Sequence, residues 1–485
     1  MYELTEDFIK VIISEVEMSQ NIDRKKREYI SEQIYDGNLW FYVKNRIKDW
    51  YPKTYENYSI SDYSLLKKIV DKKAKAYREP PIRKLDTEAE TEFYQGILKE
   101  GRFNDAMKRI DKLFNQHKYC ALGIFKEPSE EPNEEAHYKF IPLAPYTFDV
   151  IKDEEGCPQV FIISYPDEFV TDGPYKDLYN PIIAEQGNQD ENSYILSLWT
   201  EKEHKLIRVR KTKVKGESSI SFELVPIDNN PDGINPWGVL PFVFIPHDID
   251  SNYPNPSPLP GQTVEVNALN SVYLTSGNMQ IGQLILKYPA GQEIQTVNQG
   301  LMSAIKLPQS TEEGAPETDA DYISPSPNLD GHRTSIMTFL NMILDEQGIA
   351  VGQVVTGQAD KYSSGFDRAL ANADVQSIIE ENQDLYTRIE NEVYSIIQAI
   401  ESSTNMQALR SDSLQIVFKK PKMLISDTEK LSNLKQMMEL GLLEDFEKFM
   451  IIDPNLTEGQ AKEKAARINK SRKDLVSQLA LNANK

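Results

Sequence analysis

The sequence predicts an α+β protein, on three observations. Apolar residues recur at helical spacing through the first 116 residues and again beyond residue 261. Between Cys120 and Asp248 the period shortens to two, in runs rich in Val, Ile, Phe and Tyr. Gly, Pro, Asp and Asn clusters break these runs apart, as turns of an antiparallel or mixed sheet would. A chain of 485 residues, 40% hydrophobic and 27% charged, suits about two to four structural units with cores of their own.

The helical preface begins with Phe8, Val11, Ile12 and Glu15 on one predicted face, followed from Asp23 to Tyr35 by a segment so rich in Lys, Arg and Glu that it reads as a charged surface element. SDYSLLKKIVDKKAKAYREPP is a second helix with Ser61 as its expected cap; Leu65, Ile69 and Ala76 turn inward, and Pro80 and Pro81 stop it. Its Lys67, Lys68, Lys72, Lys73 and Lys75 form the most basic run, read as a solvated face or as a patch for DNA or a partner. Two more helices flank Gly101, with Phe93 and Ile97 inward on one and Ala106, Ile110, Leu113 and Phe114 on the other.

Seven strand-like runs follow: CALGIFKE, HYKFIPLAPYTFDVIKD, CPQVFIISY, SYILSLWT, KLIRVRKTKV, SISFELVPI and LPFVFIPHD. SNYPNPSPLPG continues neither a strand nor a helix and marks a hinge or corner. Helical spacing returns over 262–283, with Val266, Leu269, Val272 and Tyr273 inward and Ala268, Ser271, Ser276 and Gly277 small enough for close helix approach. LILKYPAG, SAIKLP and YISPSP are strand-like pieces around an acidic loop at 311–321, and Gly331–Gln347 is helical again through Ile336, Phe339, Leu340 and Ile343. Two helices thus flank a small β-rich insertion. After the glycine-rich GIAVGQVVTGQADKYSSG, a long helix spans 365–402, opened by Ser364 and Asp367 at capping-box spacing. Its apolar positions are Phe366, Leu370, Ile378, Leu385, Ile389, Val393, Ile396 and Ile400. LQIVFKKPKMLIS returns to strand, and 427–485 reads as helical, broken at Gly441 and Asp453-Pro454.

Composition narrows the function. No apolar run reaches the length of a membrane span, and MYELTEDFIKVIISEVEMSQ is acidic and amphipathic, so neither a membrane segment nor a secretory signal is expected. Cys120 and Cys157 are too few for a disulfide framework, which favours a reducing compartment. The net charge of −21 argues against a broad phosphate-gripping surface, because such binding needs clustered Lys and Arg. An acidic protein that handles DNA lets it pass or touches it locally; the plainer alternative is that the charge only confers solubility.

No catalytic constellation is legible, and no enzyme activity, cofactor or metal is expected. His117, His137, His204, His247 and His332 are dispersed without zinc-ligand spacing and read as ordinary polar residues. Neither a phosphate-binding G-x-x-x-x-G-K-[ST] nor a G-x-S-x-G nucleophile motif occurs. Acidic pairs such as Asp319 with Asp321, or Glu380 with Glu381, arise by chance in so acidic a chain.

Several phrases, taken in their order, resemble the portal proteins of tailed double-stranded DNA bacteriophages, the siphophage type in particular. SLLKKIVDKKAKAYREPP is similar to an early helix with a Pro-rich exit, and FNDAMKRIDKLFNQHKYCALGIFKE to a helix leading into the first wing strand. FIPLAPYTFDVIKD looks like the strand after it. LPFVFIPHD, its Pro-rich link and PGQTVEVNALNSVYLTSGN resemble a wing strand feeding a stem helix. GQVVTGQADKYSSGFDRALANAD resembles the channel loop and following helix, and GLLEDFEKFMIIDPNLTEGQAKEKAARI the helical end.

The resemblance implies a portal fold: a wing of helices and mixed or antiparallel sheet over 1–261, stem helices at 262–283 and 331–348, and a clip at 284–330. A channel loop at 349–364, a long helix with a returning wing strand at 365–426, and a helical crown at 427–485 complete it. It further implies a homo-oligomeric ring of about twelve subunits at one capsid vertex of the virion, assembled in the host cytoplasm. Double-stranded DNA would pass through during packaging and ejection. The terminase motor, the head–tail adaptor, the major capsid protein and the scaffolding protein would be partners. By this placement Val354, Val355, Thr356, Gly357, Gln358, Asp360, Lys361 and Tyr362 face the DNA. Lys361 is the local cation that meets a passing phosphate, unless it pairs with Asp360 or Asp367 or stays solvated. Lys287, Gln292, Glu293, Gln295, Lys306, Glu312 and Glu313 would serve partner binding on the clip. The competing readings are another virion structural or adaptor protein, and a cytosolic α+β enzyme.

Overall fold

The computed structural model describes residues 3–127, 137–165, 193–214, 217–227, 230–246, 253, 256–279, 283–289, 298–299, 302–303, 305–309, 319–323, 328–349, 373–404, 409–418, 446–447, 459 and 462–468. The chain divides into two units, Met1–Thr356 with Asp374–Lys419, and Gly357–Ala373 with Lys420–Lys485. In the second, residues 462–468 are helical with Ala465 buried, and Lys462 stands over the Phe446 ring at 4.8 Å. The expected crown helices lie otherwise outside the described residues.

The larger unit is α+β and layered. Its helices are α1 (Glu6–Val16), α2 (Ser19–Asp36), α3 (Leu39–Trp50), α4 (Leu65–Lys73), α5 (Glu88–Glu100), α6 (Phe103–His117), α7 (Leu259–Met279), α8 (Leu329–Glu346) and α9 (Ala373–Thr404). A short strand β1 (Ile82–Lys84) pairs antiparallel with β15 (Gln415–Val417), so the chain after α9 returns to the N-terminal part of the unit.

The middle layer is a three-stranded antiparallel sheet of β3 (His137–Leu143), β2 (Tyr119–Glu127) and β9 (Phe242–Pro246), with β2 central. Both faces of β2 are covered, which is why YCALGIF reads as unbroken apolar sequence. Cys120, Leu122 and Ile124 join Val243 and Ile245 against the helices; Tyr119, Ala121 and Phe125 join Phe242 and Phe244 on the other side. At Gly123 a Cβ would stand 2.8 Å from the Phe125 ring and 3.2 Å from the Phe242 ring, so a larger residue would have to displace these rings.

Against that second face packs a five-stranded antiparallel sheet in chain order, β4 (Phe148–Lys152), β5 (Pro158–Tyr165), β6 (Ser193–Trp199), β7 (His204–Val214) and β8 (Glu217–Val225). Strict alternation divides its side chains. Phe148, Val150, Phe161, Ile163 and Trp199 face the middle sheet, whereas Val160, Ile162, Leu196, Leu198, Ile207 and Val209 face α1. Helix α1 seals that outer face with Ile9, Ile12, Ile13 and Val16, each burial worth about 1.5–3 kcal/mol. The predicted α1 face is thus corrected: Val11 is exposed, and the stripe i, i+3, i+4, i+7 starts at Ile9 rather than Phe8. On α5, Phe93 is likewise exposed while Tyr94, Ile97 and Leu98 turn inward.

The segment expected to be a charged surface element is instead the ionic centre of the unit. Arg24, Glu28, Ser31 and Glu32 of α2 are buried along one face. His117, ending α6 and fully enclosed, places Nδ1 2.5 Å from Glu28 and Nε2 3.3 Å from Glu32, while Arg109 pairs with Glu32. One helical turn away, Arg24 donates to the Tyr119 hydroxyl at 2.8 Å and the Pro145 carbonyl at 3.0 Å and pairs with Asp149. Lys25 reaches Asp149 at 2.5 Å and Ser164 at 2.7 Å. Each of these charges finds a partner on another layer, which offsets part of the cost of leaving water.

Two histidines depart from the ordinary polar reading. Burial pulls the His117 pKa down, but hydrogen bonds and charge from Glu28 and Glu32 outweigh it and hold the value above that of an ordinary histidine. Burial alone lowers His204 to about 4, where its ring stacks on Trp199 at 3.5 Å between centroids.

The raised His117 value means that its contribution to stability is full below the ordinary histidine pKa and is lost as pH rises through the folded-state value. Replacing His117 by Gln keeps Arg109 on Glu32 but removes the cation that Glu28 faces, and is expected to cost about 3–5 kcal/mol in urea unfolding near neutrality. The difference from wild type should shrink toward alkaline pH; a pH-independent difference would contradict the charged state assigned here.

Candidate functional site

The strongest candidate for function is the helix–sheet–helix unit built from α7, the β insertion and α8, together with the junction between α8 and α9. Helix α7 starts at Leu259, slightly earlier than the spacing predicted, and ends at Met279. Of the apolar stripe expected, Val266 is buried but the other three positions are not. Leu269, Val272 and Tyr273 are half-buried, while Thr263, Asn267, Ser271 and Thr275, spaced at four residues, are enclosed.

The reason is the irregular segment Ser59–Tyr63, which lies along α7 and brings backbone polar groups that must be satisfied. Thr275 Oγ1 accepts from Ser59 N at 3.0 Å, and Ser271 Oγ from Ser61 N at 2.8 Å. Asn267 replaces a whole strand neighbour: its Oδ1 accepts from Tyr63 N at 2.7 Å and its Nδ2 donates to Tyr63 O at 2.9 Å. Ser61, expected to cap α4, donates its hydroxyl to Asn267 Oδ1 at 2.9 Å instead. Ala268 and Ser271 are enclosed small residues as predicted, though Ser271 serves this polar ladder; Ser276 and Gly277 are half-buried.

Helices α3 and α8 both pack on α7. Arg46 of α3 meets Glu265 at 2.9 Å, and Gln262 donates to Glu346 of α8 at 3.1 Å. Leu340, Ile343 and Leu344 carry α8 into the core, with Ile336 and Phe339 half-buried. Lys73, from the basic run, is buried and donates to Gln347 at 2.9 Å. Burial, then repulsion from Lys118, lowers its pKa to about 8. The basic run is therefore split: Lys67 and Lys68 are exposed, standing over Tyr35 and Tyr63, while Lys73 is structural.

Between α7 and α8 stands a sheet of its own. Strand β10 (Gln283–Pro289) is central, parallel to β13 (Ile305–Gln309) and antiparallel to β14 (Asp319–Ile323). The strands β11 (Asn298–Gln299) and β12 (Met302–Ser303) pair with each other. Gln283, the first residue of β10, pairs with Ile323, the last of β14, so the strand nearest α7 and the strand nearest α8 form one neck. Of the expected partner-binding residues, Lys287 lies on β10 opposite Asp319, and Lys306 on β13 opposite Leu286. Gln292, Glu293, Gln295, Glu312 and Glu313 lie outside the described residues.

All eight DNA-facing candidates, Val354 to Gly357, Gln358, Asp360, Lys361 and Tyr362, lie outside the described residues as well, as do Ser364 and Phe366. The two ends that bracket them are well placed. Helix α8 closes with Gly348 at φ +65°, where Ile349 N returns to Leu344 O at 2.8 Å and the Ile349 side chain is buried. A Cβ on Gly348 would lie 3.6 Å from Asp374 Cβ and 3.5 Å from Ile378 Cδ1, both on α9. The end of α8 and the start of α9 therefore meet side by side.

Helix α9 is locked behind this junction by side chains that spacing alone did not single out. Glu390, fully enclosed, takes Arg83 at 2.5 Å and the Tyr77 hydroxyl at 2.7 Å. Tyr386 donates to Asp111 at 2.9 Å, and burial pushes the Asp111 pKa up to about 7. Glu401 accepts from Lys126 at 2.7 Å and Tyr138 at 2.6 Å. Val375, Ile379, Tyr386, Ile389, Val393, Tyr394, Ile397 and Ile400 form its apolar face.

Among the described residues no helix is long and apolar enough to cross a membrane, and no group of three or more His, Cys, Asp or Glu is arranged to hold a metal ion. The chain matches no known protein-family model and no curated protein.

Asn267→Ala is expected to leave Tyr63 N and O without partners, costing about 1–3 kcal/mol for each group, and to accelerate hydrogen exchange at the Tyr63 amide ahead of its neighbours. For Lys73, whose folded pKa is lowered, the contribution to stability is present above the ordinary lysine value and lost as pH falls toward about 8. Lys73→Met should remove that dependence, so wild type and variant melting curves converge as pH rises above about 8.

Proposed function

We propose that this chain is a portal protein of a tailed double-stranded DNA bacteriophage. It forms a ring of about twelve subunits at one capsid vertex of the virion, assembled in the host cytoplasm. The observation that carries the reading is the order α7, neck, separate sheet, α8, with α7 and α8 packed together. That is the stem–clip–stem arrangement which the sequence resemblance implies. In this reading residues 1–261 with the returning β15 are the wing, and the clip presents Lys287 and Lys306 to the terminase motor and later to the head–tail adaptor.

The meeting of α8 and α9 supports the channel-loop assignment, since the two ends that bracket the assigned segment stand side by side. Channel function also suits the charge. Seventy-five acidic residues against fifty-four basic ones give a wall that repels phosphate at short range, so DNA slides past without the counterion release that would hold it. The role requires no chemistry of the protein itself, the motor supplying the work.

Negative-stain electron microscopy with native mass measurement tests the proposal. Rings of about a dozen subunits around a hole as wide as a DNA duplex are expected. A compact dimer or tetramer without a hole would overturn the reading and favour a small cytosolic oligomer.

A further inference from the structure

The α2–α3 hairpin departs from the rest of the chain in charge. Residues 19–53 carry eight Lys and Arg against five Asp and Glu, in a protein whose totals are 54 and 75. On α3 two large aromatic side chains stand in solvent: Trp40 is 51% and Phe41 50% exposed, their rings in edge contact at 6.3 Å. Phe41, Lys44 and Lys48 follow at helical spacing, so the aromatic pair continues into a basic stripe. Lys44 and Lys48 reach the Tyr55 ring at 5.7 and 5.5 Å. Isolated exposed apolar residues are ordinary, but an adjacent Trp and Phe beside a row of cations has the composition of an interface anchor.

Helix α8 carries the complement. Met342, 64% exposed, begins a stripe that continues through Asp345 and Glu346, both exposed. These carboxylates occupy the last turn of the helix, which has no basic residue and where the helix dipole is already negative. Glu346 accepts from Gln262 and lies within reach of the Lys73 charge, but both carboxylates remain exposed, and cations from outside would further offset the dipole. The two stripes also lie on different helices of one row, because α3 and α8 each pack on α7 and make no comparable contact with each other.

We infer that the α3 stripe docks on the α8 stripe of a second copy of this chain, Phe41 and Trp40 against Met342, Lys44 and Lys48 against Asp345 and Glu346. Two different patches on one subunit make a head-to-tail contact, the kind that closes rings. The inference deepens the portal reading and rests on it for the closure of the ring. It places the subunit contact beside the stem.

The test uses the full chain with Cys157→Ser, Phe41→Cys and Met342→Cys, treated with a short bismaleimide and resolved by denaturing electrophoresis; the exposed native cysteine is thereby removed and Cys120 is buried. A covalent ladder extending past the dimer is expected. Products that stop at the dimer, or no product, overturn the head-to-tail contact. Reversing Lys44 and Lys48 to Glu should lower the assembled fraction about tenfold or more, as should reversing Asp345 and Glu346 to Lys, with assembly restored when all four changes are combined. Failure of the combination to restore it overturns the pairing. Native mass spectrometry of the unlinked wild type separates the two failures: rings without a ladder refute this interface and leave the portal reading standing, whereas a small closed oligomer refutes the portal reading itself.

Discussion

The structure of the larger unit depends on one constraint, that a charge removed from water must find a partner on the layer it faces. Helix α2 concentrates the effect. Glu28 and Glu32 hold the end of α6 through His117, while Arg24 and Lys25 hold the five-stranded sheet through Asp149 and Ser164. Apolar packing between the layers is extensive but tolerant of sliding; the ion pairs are not, because a shift of one residue would leave a buried charge alone. Arg83 with Glu390, and Lys126 with Glu401, repeat the device along α9. We read these pairs as fixing register more than as adding stability.

The helices and strands were legible wherever local pattern and burial agree. CPQVFIISY was legible as a strand, its turn residues marking the ends, and alternation then puts Val160 and Ile162 on one face and Phe161 and Ile163 on the other. The mixed order of the insertion was legible as strand-like pieces, although its parallel pairing was not, since pairing partners carry no local signal. The face of α1 was misassigned because Phe8, Ile9, Val11, Ile12 and Ile13 offer two overlapping stripes, and only the sheet beneath decides between them.

Buried polarity was the part that local pattern could not reach. The partners of Arg24 lie 95 to 125 residues away, and nothing near DRKKREYISEQ distinguishes a paired charge from a solvated one. The same holds for α7, where the regular four-residue spacing of Thr263, Asn267, Ser271 and Thr275 is a signal carried by polar rather than apolar residues. Once a peptide strap is known to lie there, a row of short hydrogen-bonding side chains is the economical solution. Of the candidate functional residues, the backbones of Lys287 and Lys306 are placed, and the positions around Lys361 are bracketed by the ends of α8 and α9.

That bracketing bears on how such a protein changes over evolutionary time. When both feet of a segment stand on one rigid platform, lengthening the segment leaves the platform untouched, and each doubling of its length costs only about 0.6 kcal/mol of closure entropy. Ile349 and Val375, at the two feet, are both buried, so the ends of the segment are held by the core whatever sequence lies between them. The sequence between the feet can diverge while the two helix ends that bracket it stay the same.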